Sequence, residues 1–244
     1  MIFTLTVGRT QIPYEVHYSE RARLKRIVVT PERVQVVAPR GTPLEGKDGV
    51  FPFVHLKRRW MFDAVREIGA RHRKLQAQKY ASGAKLQYRG RWLMLDVQDA
   101  EVEAVEISCR NKFHVRVPAG LQGSPRARTI QGAVEAWLQG RAGDDVASFG
   151  RRHARNLGVD PKKVGTFESK HVWGSCWKDG QVRVHWRLIQ APKVALEYVV
   201  AHELTHLLHR NHSKEFWRTL GTTMPNWEEG KALLERWEGE HRAV

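Results

Sequence analysis

The sequence predicts an α+β fold: a β-rich N-terminal region that also carries basic helices, then a C-terminal region in which one apolar helix lies under a small sheet. Three observations support this. Short β-branched runs fill the first third, two long helical patterns at about 50–78 and 126–149 carry basic residues, and the last third joins an alternating strand to an apolar helix. With 244 residues, 41% of them hydrophobic, the chain has core material for one large domain or two small ones, which excludes a wholly disordered protein. Its apolar runs fall short of the roughly 18–20 residues that span a bilayer. The opening MIFTLTVGRTQIPYE lacks the basic lead and long apolar centre of a secretory signal. Two cysteines, Cys109 and Cys176, cannot build a disulfide framework, so a cytoplasmic protein is expected.

Taken in order, segments 2–7, 11–18 and 26–38 alternate or run β-branched and read as strands, broken at Gly8 and at Thr30-Pro31-Glu32. The helical pattern from about Val50 to Gln78 sets Val54, Trp60, Met61, Val65 and Ile68 inward. Strand-like 85–97, 103–108 and 113–118 then lead to a second helix. Val36-Val37-Ala38-Pro39-Arg40-Gly41 resembles Val115-Arg116-Val117-Pro118-Ala119-Gly120, so the second segment reads as a repeat of the first. The expected organisation is 1–80, 81–155 and 156–244. In the last segment a hairpin is expected around Lys178-Asp179-Gly180, with Val182, Val184, Trp186 and Leu188 on one face of its second arm. Pro192 opens a helix running to about His209, and Asn226 is expected to cap a final amphipathic helix.

The formal net charge of +15 is uneven: residues 51–100 carry +7 and residues 151–200 carry +6. Such a field favours polyanions or acidic partners. Lys57, Arg58, Arg59, Arg71, Arg73 and Lys74 on the first helix are candidate nucleic-acid contacts, with Arg151-Arg152-His153-Ala154-Arg155 as a second cluster, although a solvated helix face explains them equally well.

The chemistry concentrates in Ala201-His202-Glu203-Leu204-Thr205-His206, followed by His212. His202 and His206 are four apart, so on a helix they project from one face and can reach a single zinc ion. Glu203 stands beside them, placed to act as a base on a water molecule; this is the HExxH arrangement of zinc peptidases. His212 completes three metal ligands if the chain turns after the helix, with Asn211 as the residue suited to a left-handed turn. The H-E-x-x-H-x5-H spacing is the one metzincins use, with His209 where they carry Gly. Met224 reads as a core residue. Trp173, Gly174, Ser175 and Cys176 are candidate substrate-binding residues, as an edge strand that pairs with peptide backbone, or else one arm of an ordinary hairpin. His171, His185, Arg187 and His209 all stand open as oxyanion-stabilising side chains.

On Trp173-Gly174-Ser175-Cys176, Val182 to Ile189, Tyr198 to His206, His212-Ser213-Lys214-Glu215-Phe216-Trp217 and Met224-Pro225-Asn226-Trp227, the sequence resembles the YgjP-like metallopeptidases. Arg21 to Pro43 resembles the start of that family more loosely. The resemblance implies a zincin-like C-terminal domain related to SprT- and WLM-type proteases, with a zinc cofactor and a peptide or protein substrate. Two rivals stand beside a zinc endopeptidase. One is a zinc endoribonuclease with three histidines at H-x3-H-x5-H, against which Glu203 speaks. The other is a nucleic-acid-binding module with an inactive metal site. No membrane partner is expected.

Overall fold

The computed structural model describes residues 2–169 and 171–242; the side chains of residues 73, 74, 76, 77, 124, 241 and 242 lie outside that description. The chain forms two compact units, Met1–Gln78 and Lys79–Val244. In the first, strands β1 (Ile2–Val7), β2 (Thr10–Ser19), β3 (Arg26–Val29) and β4 (Val34–Pro39) make one sheet in the order β1-β2-β4-β3. Pairing is antiparallel at β1/β2, parallel at β2/β4 and antiparallel at β3/β4. Leu5, Ile12, Val34, Val36 and Ala38 bury one face of this sheet with Val50, Val54 and Met61.

The single helix expected from Val50 is two helices, α1 (Val50–Leu56) and α2 (Arg58–Lys79). Lys57 breaks them with φ −91° and ψ 8°. Met61 of α2 is fully buried in the core, with Phe62 and Val65 partly buried against it. Successive helical residues diverge by about 100°, so Trp60, expected inward, is left 51% exposed. Lys57, Arg58, Arg59 and Arg71 are exposed as well, and the side chains of Arg73 and Lys74 lie outside the described residues.

The second unit opens on β5 (Lys85–Tyr88), β6 (Arg91–Ala100), β7 (Glu106–Cys109) and β8 (Phe113–Pro118), in the order β5-β6-β8-β7. Its pairing pattern, antiparallel, parallel and antiparallel, is that of the first sheet. The short sequence match noted above falls on β4 and β8, and each is followed by a glycine at positive φ, Gly41 at 84° and Gly120 at 97°.

Helix α3 (Gly123–Leu157) runs past the expected end and stops where Gly158 takes φ 65°, the left-handed geometry that closes many helices. The extension absorbs part of the second basic cluster. Arg152 pairs with Glu197, and His153, only 2% exposed, places Nε2 3.0 Å from the same carboxylate.

A three-stranded sheet follows: β9 (Lys163–Phe167), β10 (Gly174–Cys176) and β11 (Gln181–His185), in the order β10-β11-β9. The Asp179-Gly180 hairpin forms, with Gly180 at φ 82°. Its second arm is shorter than the alternation implied, because Trp186–Ile189 coils into a 3-10 turn. The His185 ring accepts from the Arg187 N–H and starts that turn, and Trp186, Leu188 and Ile189 all become buried.

Helices α4 (Lys193–Thr205), α5 (Lys214–Thr223) and α6 (Trp227–Arg242) complete the unit. Segments 81–155 and 156–244 share one core, in which Leu95, Phe113, Val134, Leu138 and Val146 are joined by Val182, Val184, Leu196, Val200, Leu204 and Leu220. Met224 lies in this core at 1% exposure. Asn226 precedes α6, where its amide donates to Glu229 Oε2 at 3.4 Å. Among the described residues, no helix is long and apolar enough to cross a membrane.

Helix α6 meets α4 nearly backbone to backbone at Gly230, where a Cβ would sit 2.6 Å from the Tyr198 Cβ and 2.9 Å from the Val194 carbonyl oxygen. Gly230→Ala is therefore expected to cost about 1–3 kcal/mol through overpacking. A urea titration should show a lowered midpoint with unchanged slope; a midpoint equal to the parent's contradicts this contact.

Candidate metal centre

The site is built on α4, an apolar helix buried over most of its surface, so its few polar side chains stand out by position. His202 and Glu203 project from its last turn, and His206 is its C-cap residue. The helix ends earlier than expected. Thr205 Oγ1 donates back to the Ala201 carbonyl at 2.8 Å, and the His206 ring Nδ1 lies 2.9 Å from the His209 carbonyl oxygen. That bond makes Nδ1 the protonated nitrogen of His206 and leaves Nε2 as a free lone pair.

The chain then returns without a left-handed residue at Asn211; among the described residues, Arg89 is the one non-glycine with positive φ. The reversal runs through consecutive turns, with the amides of Leu207, Leu208 and His209 bonded to the carbonyls of Leu204 and Thr205. It ends at Ser213, whose Oγ accepts from the Phe216 N–H at 3.4 Å and starts α5. His212, one residue earlier, is thereby turned back to α4.

The outcome is a cluster of three imidazoles. One nitrogen from each of His202, His206 and His212 lies within 4.8 Å of the others. The Nε2 atoms of His202 and His212 are 3.0 Å apart. Two nitrogens bound tetrahedrally to one zinc at roughly 2.0–2.1 Å would be about 3.3 Å apart, so the donor set fits a single metal ion.

Phe216, fully buried, supports all three rings from one side, its centroid 4.9 Å from His202, 4.7 Å from His206 and 4.8 Å from His212. Trp217 stacks on His212 at 5.7 Å, and Tyr198 places its hydroxyl 3.4 Å from His202 Nδ1. No ligand-spacing rule marks these three aromatics. The legible signals were Tyr198 four residues before His202 on one helix face, and Ser213 three before Phe216 as a cap. Burial, then the positive charge of neighbouring histidines, holds the His202 imidazole down to about 3, and burial lowers His206 as well. Both rings are therefore neutral near pH 7, the form that donates a lone pair to a metal.

Glu203 is held from above by β10. A Cβ on Gly174 would fall 2.5 Å from Glu203 Oε1 and 2.6 Å from its Cγ. Any larger residue at 174 would have to push the Glu203 side chain aside. The same enclosure pushes the Glu203 carboxyl up to about 7.

The four residues of the expected substrate strand divide. Gly174, Ser175 and Cys176 form β10, which pairs with β11 on one side and is the edge of its sheet on the other. Trp173 precedes the strand and packs inward, its ring 5.2 Å from His185 and 5.3 Å from Trp237, with its indole N–H bonded to Glu238. Two of the four oxyanion candidates are occupied elsewhere. His185 Nε2 lies 2.9 Å from the Ser169 carbonyl while its Nδ1 accepts from Arg187, and His209 Nε2 lies 3.0 Å from Thr219 Oγ1. The Arg187 guanidinium lies over the Trp186 ring and His171 is exposed. The basic residues of α2 belong to the other unit, apart from this cluster in the chain.

No curated protein and no solved structure matches the chain. The family model described as YgjP-like, metallopeptidase domain, matches residues 23–237, nearly the full length and including His202, Glu203, His206 and His212. The chain, with its three clustered histidines on and after α4, belongs to the YgjP-like metallopeptidase family.

Proposed function

We propose that the protein is a zinc-dependent endopeptidase in which His202, His206 and His212 hold the ion and Glu203 is the general base. The single observation that carries this reading is the convergence of three imidazole nitrogens within 4.8 Å beside a carboxylate enclosed under an edge strand. A zinc ion bound there would supply a Lewis acid that polarises the scissile carbonyl and acidifies water. The protein's own groups do the rest. Glu203 takes the proton of the attacking water and returns it to the leaving amine. A base near 7 is well matched to that task at neutral pH, and enclosure supplies the shift. The His209 carbonyl fixes the His206 tautomer, and Phe216 and Trp217 fix ring positions, so little reorganisation is needed at the donor atoms. The free edge of β10 can receive substrate backbone as an added strand.

The endoribonuclease alternative leaves the enclosed Glu203 without a task, whereas a peptidase requires a base at this position. The nucleic-acid tether is a separate proposal, resting on Lys57 at the break before α2 and on Arg58, Arg59 and Arg71 of α2, all exposed, with Arg73 and Lys74 following in sequence.

Three outcomes follow from these assignments. Glu203→Gln is expected to retain metal and fold while losing about 10²–10⁴-fold in peptide hydrolysis; casein cleavage at the parent rate would remove Glu203 from the chemistry. His212→Ala leaves two ligands, and metal analysis after desalting should find the ion largely lost; full loading would exclude His212. For the tether, affinity for duplex DNA should fall by about 0.9 log unit per log unit of salt for each phosphate contacted. Replacing Lys57, Arg58, Arg59, Arg71, Arg73 and Lys74 by Gln should flatten that slope, and an equal slope would place the contact elsewhere.

A further inference from the structure

Beyond Cys176 the edge strand β10 runs into a basic, aromatic corner. Trp177 closes the hairpin, its N–H bonded to the Gln181 carbonyl at 2.8 Å, and its ring is left 50% exposed. The Arg183 guanidinium lies over that ring at 5.2 Å, with Nη2 donating to Gln181 Oε1 at 2.9 Å. Arg210, in the turn between His206 and His212, reaches Trp177 at its backbone. Its Nη1 lies 3.5 Å from the Trp177 carbonyl oxygen and 3.6 Å from Cys176 Sγ.

Two guanidiniums thus meet Trp177 at the end of the strand, and among the described residues neither is ion-paired. Asp179, the acid of the hairpin turn, is already engaged: Oδ1 accepts from the Gln181 N–H at 3.2 Å and Oδ2 from the Gln181 side-chain amide at 2.6 Å. Arg210 is exposed, and its bonds go to a carbonyl and a thiol, both weaker partners for a guanidinium than a carboxylate.

The corner is also at a defined distance from the chemistry. Gly174 is the residue against Glu203, and Trp177 stands three residues further along the chain. At about 3.3–3.4 Å per extended residue, a peptide laid along β10 would bring a side chain two or three positions from the scissile bond to Arg183 and Arg210. We infer that Arg210 and Arg183, with Trp177, form a substrate subsite that selects an acidic side chain at that distance from the cleaved bond. The inference rests on the peptidase reading, with β10 as the strand that receives substrate. Arg210 also ties this selection to the metal cluster, because it belongs to the turn that carries His212 back to α4.

The test uses the full-length Glu203→Gln protein, which should bind peptides without cleaving them, and a set of labelled octapeptides. Each carries Glu, Gln or Lys at one position, scanned on both sides of a bond that the parent cleaves. Fluorescence anisotropy should show Glu preferred over Lys by about five- to tenfold at positions on one side of that bond, the size expected for one or two partly exposed ion pairs. The preference should shrink as salt is raised. Adding Arg210→Gln or Arg183→Gln should reduce it to about twofold, and Arg210→Glu should turn it towards Lys. Metal content is measured on every variant, so that disturbance of the His206–His212 turn is seen directly; the Arg183 variants, on β11, test the subsite without touching that turn. Equal binding of Glu and Lys peptides, or a preference unchanged in both arginine variants, overturns the subsite and leaves the peptidase reading standing. Cleavage that survives Glu203→Gln overturns the reading beneath it.

Discussion

The arrangement of the whole site depends on one packing contact, the buried Phe216 ring seated against three imidazoles. A helix can supply two donors at i and i+4, but the third must arrive from chain that has left the helix. Here α4 stops at Thr205, the chain folds back through short turns, and Ser213 caps α5 so that Phe216 enters the core on the ligand side of α4. His212 lies one residue before the Ser213 cap and four before Phe216, so its position follows from where Phe216 must go. A buried Phe contributes several kcal/mol to stability, and that energy holds in place a cluster of neutral nitrogens that would otherwise have little reason to approach one another.

Two glycines let the neighbours of α4 come close enough to complete the site. Gly230 lets α6 lie on the helix backbone behind Tyr198, which in turn reaches His202. Gly174 does the same on the opposite side, where β10 covers Glu203. The enclosure that raises the carboxyl and the edge strand that can receive a peptide are thus one feature, set by a missing side chain. Donor nitrogens, an enclosed carboxylate and an open strand edge are brought together by this packing.

Much of this was legible in the sequence because local rules governed it. The His202/His206 spacing, the Asp179-Gly180 turn, the alternation through Val182 and Val184 and the start after Pro192 each follow from backbone geometry within a few residues. What was hidden depended on distant chain. Strand β9 has no clean alternation, and only its parallel pairing with β11 makes it a strand. The 3-10 turn at Trp186 interrupts a pattern that reads as one long strand, because His185 caps it and three apolar residues need burial together. Lys57 breaks the first helix so that Met61 can reach the sheet, and Trp60 is exposed as a consequence. The turn assigned to Asn211 is made by ordinary backbone, since a chain already bonded to the last carbonyls of α4 needs no left-handed residue to reverse.

The central claim is that three imidazoles and no sulfur bind one zinc ion, although Cys176 lies on the strand that covers Glu203. X-ray absorption at the zinc edge of the purified, zinc-loaded protein measures this most directly. The account predicts a first shell of nitrogen and oxygen only, at roughly 2.0–2.1 Å, with the outer-ring scattering of three histidines. A sulfur shell at about 2.3 Å, or scattering from fewer than three imidazoles, would contradict it.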